Sequence, residues 1–230
     1  IRYLFWRFAT KFLPELWLVI TGGLPKMVLL AEFTSDSERE LTQKIEAVQV
    51  EVKKLGLQSR ATRDEQDTQK YWTLRRESFN LLRTKIKNRK TAPFIDDLII
   101  LPEKLSEFLP KLNALLEQYP SIIYTLAGHI GDGNIHVIPL IDLNNPKERA
   151  AIPELLNKVN RLVFEFGGSM TAEHNDGLTR SPFLPQMFGE RVYQLFKEVK
   201  VIFDSQNIFN PGKKVDADLD YALSHIKKSL

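Results

Sequence analysis

Hydrophobic and polar residues follow helix-like and strand-like spacings in alternating blocks along the chain. Apolar runs rich in β-branched and aromatic residues predict strands at 26–33, 94–101, 122–126 and 135–138. Apolar positions with helical periodicity predict helices at 35–55, 103–117, 146–166 and 191–203, followed by a short terminal helix. Residues 63–90 are predicted to form one long helix or a pair of helices. This order indicates an α+β fold, a mainly antiparallel sheet covered by helices.

Several of these helices carry recognisable end signals. Ser35 or Ser37 can cap the first predicted helix, and Gly56 can end it. The paired glycines Gly167 and Gly168 stop the helix at 146–166.

Composition bounds the function classes that the chain can belong to. With 230 residues, 43% hydrophobic and 27% charged, it is long enough to bury a sizeable core. A net charge of +3 is too small to indicate nucleic-acid binding. The absence of cysteine excludes disulfides, thiolate metal sites and iron–sulfur ligation within this chain.

The first 24 residues form an aromatic, amphipathic segment interrupted by charges. No uncharged run there reaches the ~20 residues needed to span a bilayer, and a signal-peptide cleavage site is lacking. We expect this segment to pack on a missing domain or on a membrane surface. The chain begins with Ile1 and its first methionine is Met27, so we expect a piece of a longer, cytoplasmic protein, with peripheral contact to the inner face of a membrane left open.

Candidate chemistry is concentrated in residues 128–136, which read GHIGDGNIH. Predicted strands flank a tight-turn tetrad at 131–134, and the chain reversal lets the imidazoles of His129 and His136 converge. Two imidazoles plus a carboxylate from elsewhere make a three-ligand set for zinc or a similar divalent ion, with one position open for substrate. The alternative is two polar residues flanking a turn.

Two further segments carry weaker signals. Glu173 and His174 follow a Gly-rich turn, although an adjacent Glu-His pair can also be a surface loop. Residues 203–213 read FDSQNIFNPGK, in which Asn-Pro-Gly is also an ordinary helix stop.

Together these segments resemble the C-terminal, cap-bearing part of FAD-linked oxidases, a group that includes D-lactate, glycolate and D-2-hydroxyglutarate dehydrogenases. The matching family patterns are GHxGDGNxH, a Glu-His segment, FDPxxxxNPGK and W-x-x-R, the last at Trp72 and Arg75. The resemblance spans about 25–216, leaves 217–230 as a C-terminal helix, and implies that the C-terminal segment returns to an FAD-binding domain absent from this sequence.

The resemblance implies oxidation of a small D-2-hydroxy acid to a 2-oxo acid, with FAD and a divalent metal, zinc by preference, as cofactors. It implies these roles: His129, His136 and Glu173 as metal ligands, His174 as the base, Arg75 on the substrate carboxylate, and Asn210 against the flavin. The electron acceptor would be a quinone, an electron-transfer flavoprotein, a cytochrome or an iron–sulfur subunit.

The sequence departs from the family pattern at several positions. Asn175 replaces a glycine, but asparagine tolerates the left-handed backbone conformation. Phe79 and Ile138 stand where hydroxyglutarate-type members have polar residues, and the family's substrate-binding lysine is not found, although Arg89 and Lys90 lie nearby.

Two alternative functions remain open from the sequence. One is a flavin-free, metal-dependent hydrolase or metal-binding domain that uses the same ligands. The other is a stand-alone cap-like subunit that docks on a flavoprotein.

Overall fold

The computed structural model describes residues 27–85 and 89–226. The chain divides into two compact units, Ile1–Leu82 and Arg83–Leu230. The predicted segment 1–24 lies outside the described residues.

The first unit contains α1 (Glu38–Lys54) and the start of α2 (Glu65–Lys85). The predicted cap is confirmed, because Ser37 accepts the Glu40 N–H and Gly56 follows the helix with φ of 70°. The strand predicted at 26–33 is wrong for the residues described there, 27–33, which are mostly exposed and form no strand. A strand needs a partner for its backbone ladder, and its sequence pattern alone does not supply one.

Asp67, near the start of α2, is buried among cationic groups. Its carboxylate lies 2.8 Å from the Arg60 guanidinium and 2.7 Å from the Lys70 ammonium. Burial opposes ionisation, but hydrogen bonds from Lys70, the Arg63 N–H and Arg60 outweigh it and lower the pKa of Asp67 to about 2.

A small antiparallel sheet lies at the centre of the second unit. Its strands are β1 (Lys90–Thr91), β2 (Leu98–Ile99), β3 (Ile123–Ala127) and β4 (Asn134–Ile141). β4 pairs antiparallel with each of the other three, and Ala127 lies opposite His136 in the β3–β4 register. The strand predicted at 94–101 is shorter than expected, because Asp97 adopts a left-handed conformation, φ 66°, immediately before β2.

Among the described residues of the second unit, six helices follow the strands or connect them: α3 (Leu105–Leu116), α4 (Pro146–Glu165), α5 (Gly177–Arg180), α6 (Leu184–Phe188), α7 (Glu190–Phe203) and α8 (Leu219–Ser224). Short 3₁₀ turns at Pro102–Lys104 and Ser181–Phe183 precede α3 and α6. α5 and α6 are short elements that helical periodicity did not predict.

The hydrophobic core lies between the sheet and the two helices α3 and α4. Phe108 of α3, Leu155 and Val159 of α4 and Val137 of β4 are fully buried within it. The ring of Phe108 packs edge-on against Phe166, with ring centroids 5.4 Å apart. An antiparallel sheet covered by helices confirms the predicted α+β class.

Arg89, just before β1, binds a carboxylate on α4. Its guanidinium forms two hydrogen bonds with the buried Glu148 carboxylate, at 2.8 and 3.0 Å, and a third with the Leu140 carbonyl. The two N–H groups of a planar guanidinium are spaced to meet the two oxygens of one carboxylate. Arg89 is therefore a structural residue of the β1 edge.

Apolar side chains are exposed along the end of α7 and the loop after it. Ile202, Phe203, Ile208 and Phe209 are all at least 68% exposed. Within the described residues, no helix combines the length and apolarity needed to cross a membrane.

Candidate active site

The turn between β3 and β4 brings the two motif histidines together, as predicted. Gly133 adopts a left-handed φ of 78°, and the Asn134 N–H donates back to the His129 carbonyl over 3.2 Å. The rings of His129 and His136 meet edge to face with centroids 6.0 Å apart.

The loop that carries Glu173 and His174 is anchored on Asp97, which is fully buried. The Asp97 carboxylate accepts the backbone N–H groups of Ala172, Glu173 and His174 over 2.9, 3.1 and 2.9 Å. Burial raises the pKa of Asp97, but these N–H groups outweigh burial and hold it below its ordinary value. Asn134 Nδ2 also donates to this carboxylate over 3.1 Å, which ties the loop to the start of β4.

Asn175 continues the loop with φ of 62°, so asparagine does adopt the left-handed conformation expected where the family has glycine. Arg180, buried on α5, donates to the Asn175 carbonyl and, over 3.0 Å, to the Asp96 carbonyl. One guanidinium therefore holds both the loop and the residue before Asp97.

Glu173 is the carboxylate on which the imidazoles converge. Its Oε1 lies 3.0 Å from His136 Nε2 and 3.3 Å from His174 Nε2, and its Oε2 lies 3.7 Å from His129 Nδ1. The rings of His136 and His174 are stacked, with centroids 4.9 Å apart and planes 17° apart. Glu173 and His174 are 44% and 48% exposed, so the cluster opens to solvent.

Asp96 lies at the opposite nitrogens of the same two rings. Its Oδ1 is 3.0 Å from His136 Nδ1, and its Oδ2 is 3.3 Å from His174 Nδ1. Each ring therefore lies between two carboxylates, although a neutral imidazole carries only one N–H. A neutral ring that donates Nδ1–H to Asp96 presents its Nε2 lone pair to Glu173, and a bound cation would satisfy that arrangement.

The donor set fits a divalent cation. Two donors bound to one zinc ion at about 2.0–2.2 Å lie roughly 3–3.5 Å apart, which matches the Glu173 distances to His136 and His174. The distance from Glu173 Oε2 to Nδ1 of His129, a predicted ligand, is longer, at 3.7 Å. Asp97 also lies within 4.8 Å of these donors, but its oxygens already accept several N–H groups, so we assign it to the loop rather than to a metal.

Residues 24–214 match the family described as FAD linked oxidases, C-terminal domain. The chain belongs to this family. The resemblance read from the motifs is confirmed across most of the 230 residues.

Several curated members of the FAD-linked oxidase family are similar to this chain. A D-2-hydroxyglutarate dehydrogenase of Pseudomonas putida is 33% identical over 80% of this chain and 18% of that protein. The glycolate oxidase subunit GlcD of Bacillus subtilis is 28% identical over 85% of this chain and 41% of that protein. A D-lactate dehydrogenase of Archaeoglobus fulgidus is 33% identical over 55% of this chain and 28% of that protein. The chain thus spans under half the length of these relatives.

Arg75, which the FAD-linked oxidase resemblance assigns to the substrate, lies on α2 in the first unit. It is exposed, and its guanidinium carbon lies 5.4 Å from the centroid of the Trp72 ring. The substrate role of Arg75 remains a prediction, and the Phe79 side chain lies outside the described residues. Ile138 is buried in the sheet, at 4% exposure.

Asn210 lies in the loop after α7, exposed and with φ of 47°. Asp204, at the family's Asp-Pro position, accepts the Ile208 and Phe209 N–H groups over 2.9 and 2.8 Å, and these hydrogen bonds tie the loop to the end of α7. Lys214, four residues after Asn210, binds Asn175 Oδ1 over 2.7 Å. The segment thus returns to the Glu-His loop, while the flavin contact of Asn210 remains a prediction.

Sequence reasoning missed Asp96, Asp97 and Arg180. Two consecutive acids at the start of an otherwise apolar predicted strand were the available signal, because a buried carboxylate needs partners. Arg180 carried no comparable signal, since its position depends on the fold of α5.

Proposed function

We propose that this chain is the C-terminal part of an FAD-dependent dehydrogenase that oxidises a small D-2-hydroxy acid to a 2-oxo acid. The observation that carries the proposal is the solvent-open convergence of His136 and His174 on Glu173. The similar proteins named as D-2-hydroxyglutarate dehydrogenase, glycolate oxidase subunit and D-lactate dehydrogenase support this substrate class.

His129, His136 and Glu173 would hold the divalent metal, with zinc as the expected ion. When bound, the metal supplies Lewis acidity at the substrate hydroxyl and FAD supplies the hydride acceptor. The main binding domain for FAD would lie outside these 230 residues. The exposed apolar side chains at Ile202, Phe203 and Phe209 support docking of such a domain near the Asn210 loop.

His174 would accept the hydroxyl proton at Nε2 as the carbon that bears this hydroxyl gives its hydride to FAD. Its Nδ1 lies against Asp96, which leaves Nε2 for the proton. Arg75 would bind the substrate carboxylate, because a planar guanidinium can contact both carboxylate oxygens. Asn210 would contact the flavin.

Alanine substitutions test the metal assignment in the full-length protein. Replacing His129, His136 or Glu173 should lower zinc affinity at least ~10-fold, since two remaining ligands bind a labile ion poorly. His225→Ala is the matched control, because this fourth histidine is exposed on the terminal helix segment and bonds locally to Tyr221. Unchanged zinc content in all three ligand variants, measured by elemental analysis, would remove the metal assignment.

His174→Ala should lower kcat roughly 100-fold or more and leave zinc content normal. The competing assignment makes His174 a ligand, and its 3.3 Å distance to Glu173 favours that assignment as well. Loss of zinc from His174→Ala would show that His174 is a metal ligand and would contradict its assignment as the base.

A further inference from the structure

We propose that Asp96 is a positioning residue that fixes the tautomer of His136 and His174 together. It keeps the proton of each neutral ring on Nδ1, so that both Nε2 lone pairs are directed to the side of Glu173. The inference extends the proposed function and rests on it, since one ring is assigned there to metal binding and the other to proton transfer.

The geometry gives each ring its own carboxylate oxygen. Oδ1 of Asp96 lies 3.0 Å from Nδ1 of His136, and Oδ2 lies 3.3 Å from Nδ1 of His174. The His136 contact is a hydrogen bond, and the His174 contact lies within ion-pair distance. An ionised carboxylate only accepts hydrogen bonds, so we assign an N–H to Nδ1 of each ring. The two stacked rings are thus set by one side chain.

The backbone around Asp96 is fixed by hydrogen bonds on the side away from the two rings. Its carbonyl accepts Arg180 Nη2 over 3.0 Å, and the next residue, Asp97, is fully buried in its network of N–H donors. The Asp96 side chain is only 11% exposed. Its orientation therefore depends on the protein fold.

Asp96 and Glu173 compete for the single proton of each neutral ring. Glu173 is 44% exposed and therefore hydrated, whereas Asp96 is 11% exposed. A hydrogen bond to the less hydrated carboxylate is the stronger one, because water weakens the other. The proton should stay on Nδ1, which is the tautomer that both a ligand and a base acting through Nε2 require.

Asparagine at position 96 separates the two contacts without changing the size of the side chain. An amide offers one accepting oxygen and one donating NH₂ group. Asp96→Asn can therefore satisfy Nδ1–H of only one ring, and the other ring must move its proton to Nε2. Asp96→Leu removes both acceptors.

Imidazole ¹⁵N–¹H spectra of the full-length, chelator-treated protein test this, at a pH at which the ¹⁵N shifts themselves show neutral rings. Signals are assigned with His136→Gln and His174→Gln. We expect Nδ1–H on both rings in the unsubstituted protein, on one in Asp96→Asn and on neither in Asp96→Leu. Asp142→Asn is the control, since that acid lies beyond the far end of β4 and its bond to the Asn144 N–H survives in the amide.

The metal-loaded protein gives an independent readout. Asp96→Asn should lower zinc affinity ~10–100-fold or lower kcat by a similar factor, with KM changed much less. Nδ1–H retained on both rings in Asp96→Leu, or in Asp96→Asn should the leucine variant not fold, would overturn the proposal. If the tautomers respond as expected but the unsubstituted protein binds no zinc, the role of Asp96 stands and the proposed metal function fails.

Discussion

Asp96 and Asp97 are consecutive, yet their carboxylates bind different kinds of donor. Asp97 accepts backbone N–H groups of the Glu173–His174 loop, and Asp96 contacts the side chains of His136 and His174. The left-handed conformation of Asp97, φ 66°, accompanies this division. One pair of adjacent acids thus fixes the loop backbone and the imidazoles separately.

Arg75 gives a prediction about substrate binding in the full-length enzyme. Arg75→Ala should raise KM for a D-2-hydroxy acid ~10–100-fold and change kcat much less, because a carboxylate clamp acts in ground and transition states alike. Arg75→Lys should recover only part of the loss, since an ammonium lacks the planar fork. Steady-state kinetics over a panel of hydroxy acids measures both values.

The neighbouring Arg76 supplies the control for Arg75. Both arginines are exposed on α2, so Arg76→Ala removes the same charge one position away. Equal KM changes in the two alanine variants would show a general charge effect and contradict the clamp.

The β3–β4 turn depends on glycine at one position and not at another nearby. A Cβ on Gly133 would lie 1.7 Å from the Ile100 carbonyl oxygen, and its φ is 78°. Gly131 has open space around it and no such φ. The two glycines therefore form a matched pair within one turn.

We expect Gly133→Ala to destabilise the second unit by about 3 kcal/mol or more, from left-handed strain and overlap combined. Gly131→Ala should stay within about 1 kcal/mol of the unsubstituted protein. Urea unfolding followed by circular dichroism measures both. Equal stabilities for the two variants would mean that the turn does not pack against Ile100 as described.

The sequence predicted helix caps and left-handed backbone positions correctly, because these features depend on neighbouring residues in the chain. Ser37 caps α1, and Asn175 adopts a left-handed φ, as the sequence indicated. The strand at 26–33 failed because pairing depends on a distant partner, and the role of Asp96 depended on rings 40 and 78 positions away. The candidate ligands could be named from motifs, but the groups that hold them could not.

The first compact unit should lose stability in acid. The lowered pKa of Asp67, about 2, means that the folded first unit favours the ionised carboxylate. This stability is fully present above the ordinary pKa near 4 and is lost as pH falls through about 2. Asp67→Asn should therefore cost about 1–2 kcal/mol at neutral pH and flatten the loss of stability between pH 4 and 2.

Tryptophan emission can follow the first unit, because Trp72 lies on α2 and none of the later residues in the sequence is a tryptophan. Glu65→Gln is the control, since this exposed acid lies in the same helix turn. An unchanged acid transition in Asp67→Asn would show that the ion cluster does not stabilise the unit.

The anchoring of the Glu173–His174 loop on Asp97 also bears on the order of folding. These hydrogen bonds join residues 75 to 77 positions apart, and the chain between them includes β3, β4 and α4. Such distant contacts form only after the intervening chain has paid its loop-closure entropy. We therefore expect the loop amides to gain protection from hydrogen exchange late in refolding, after those of β3 and β4.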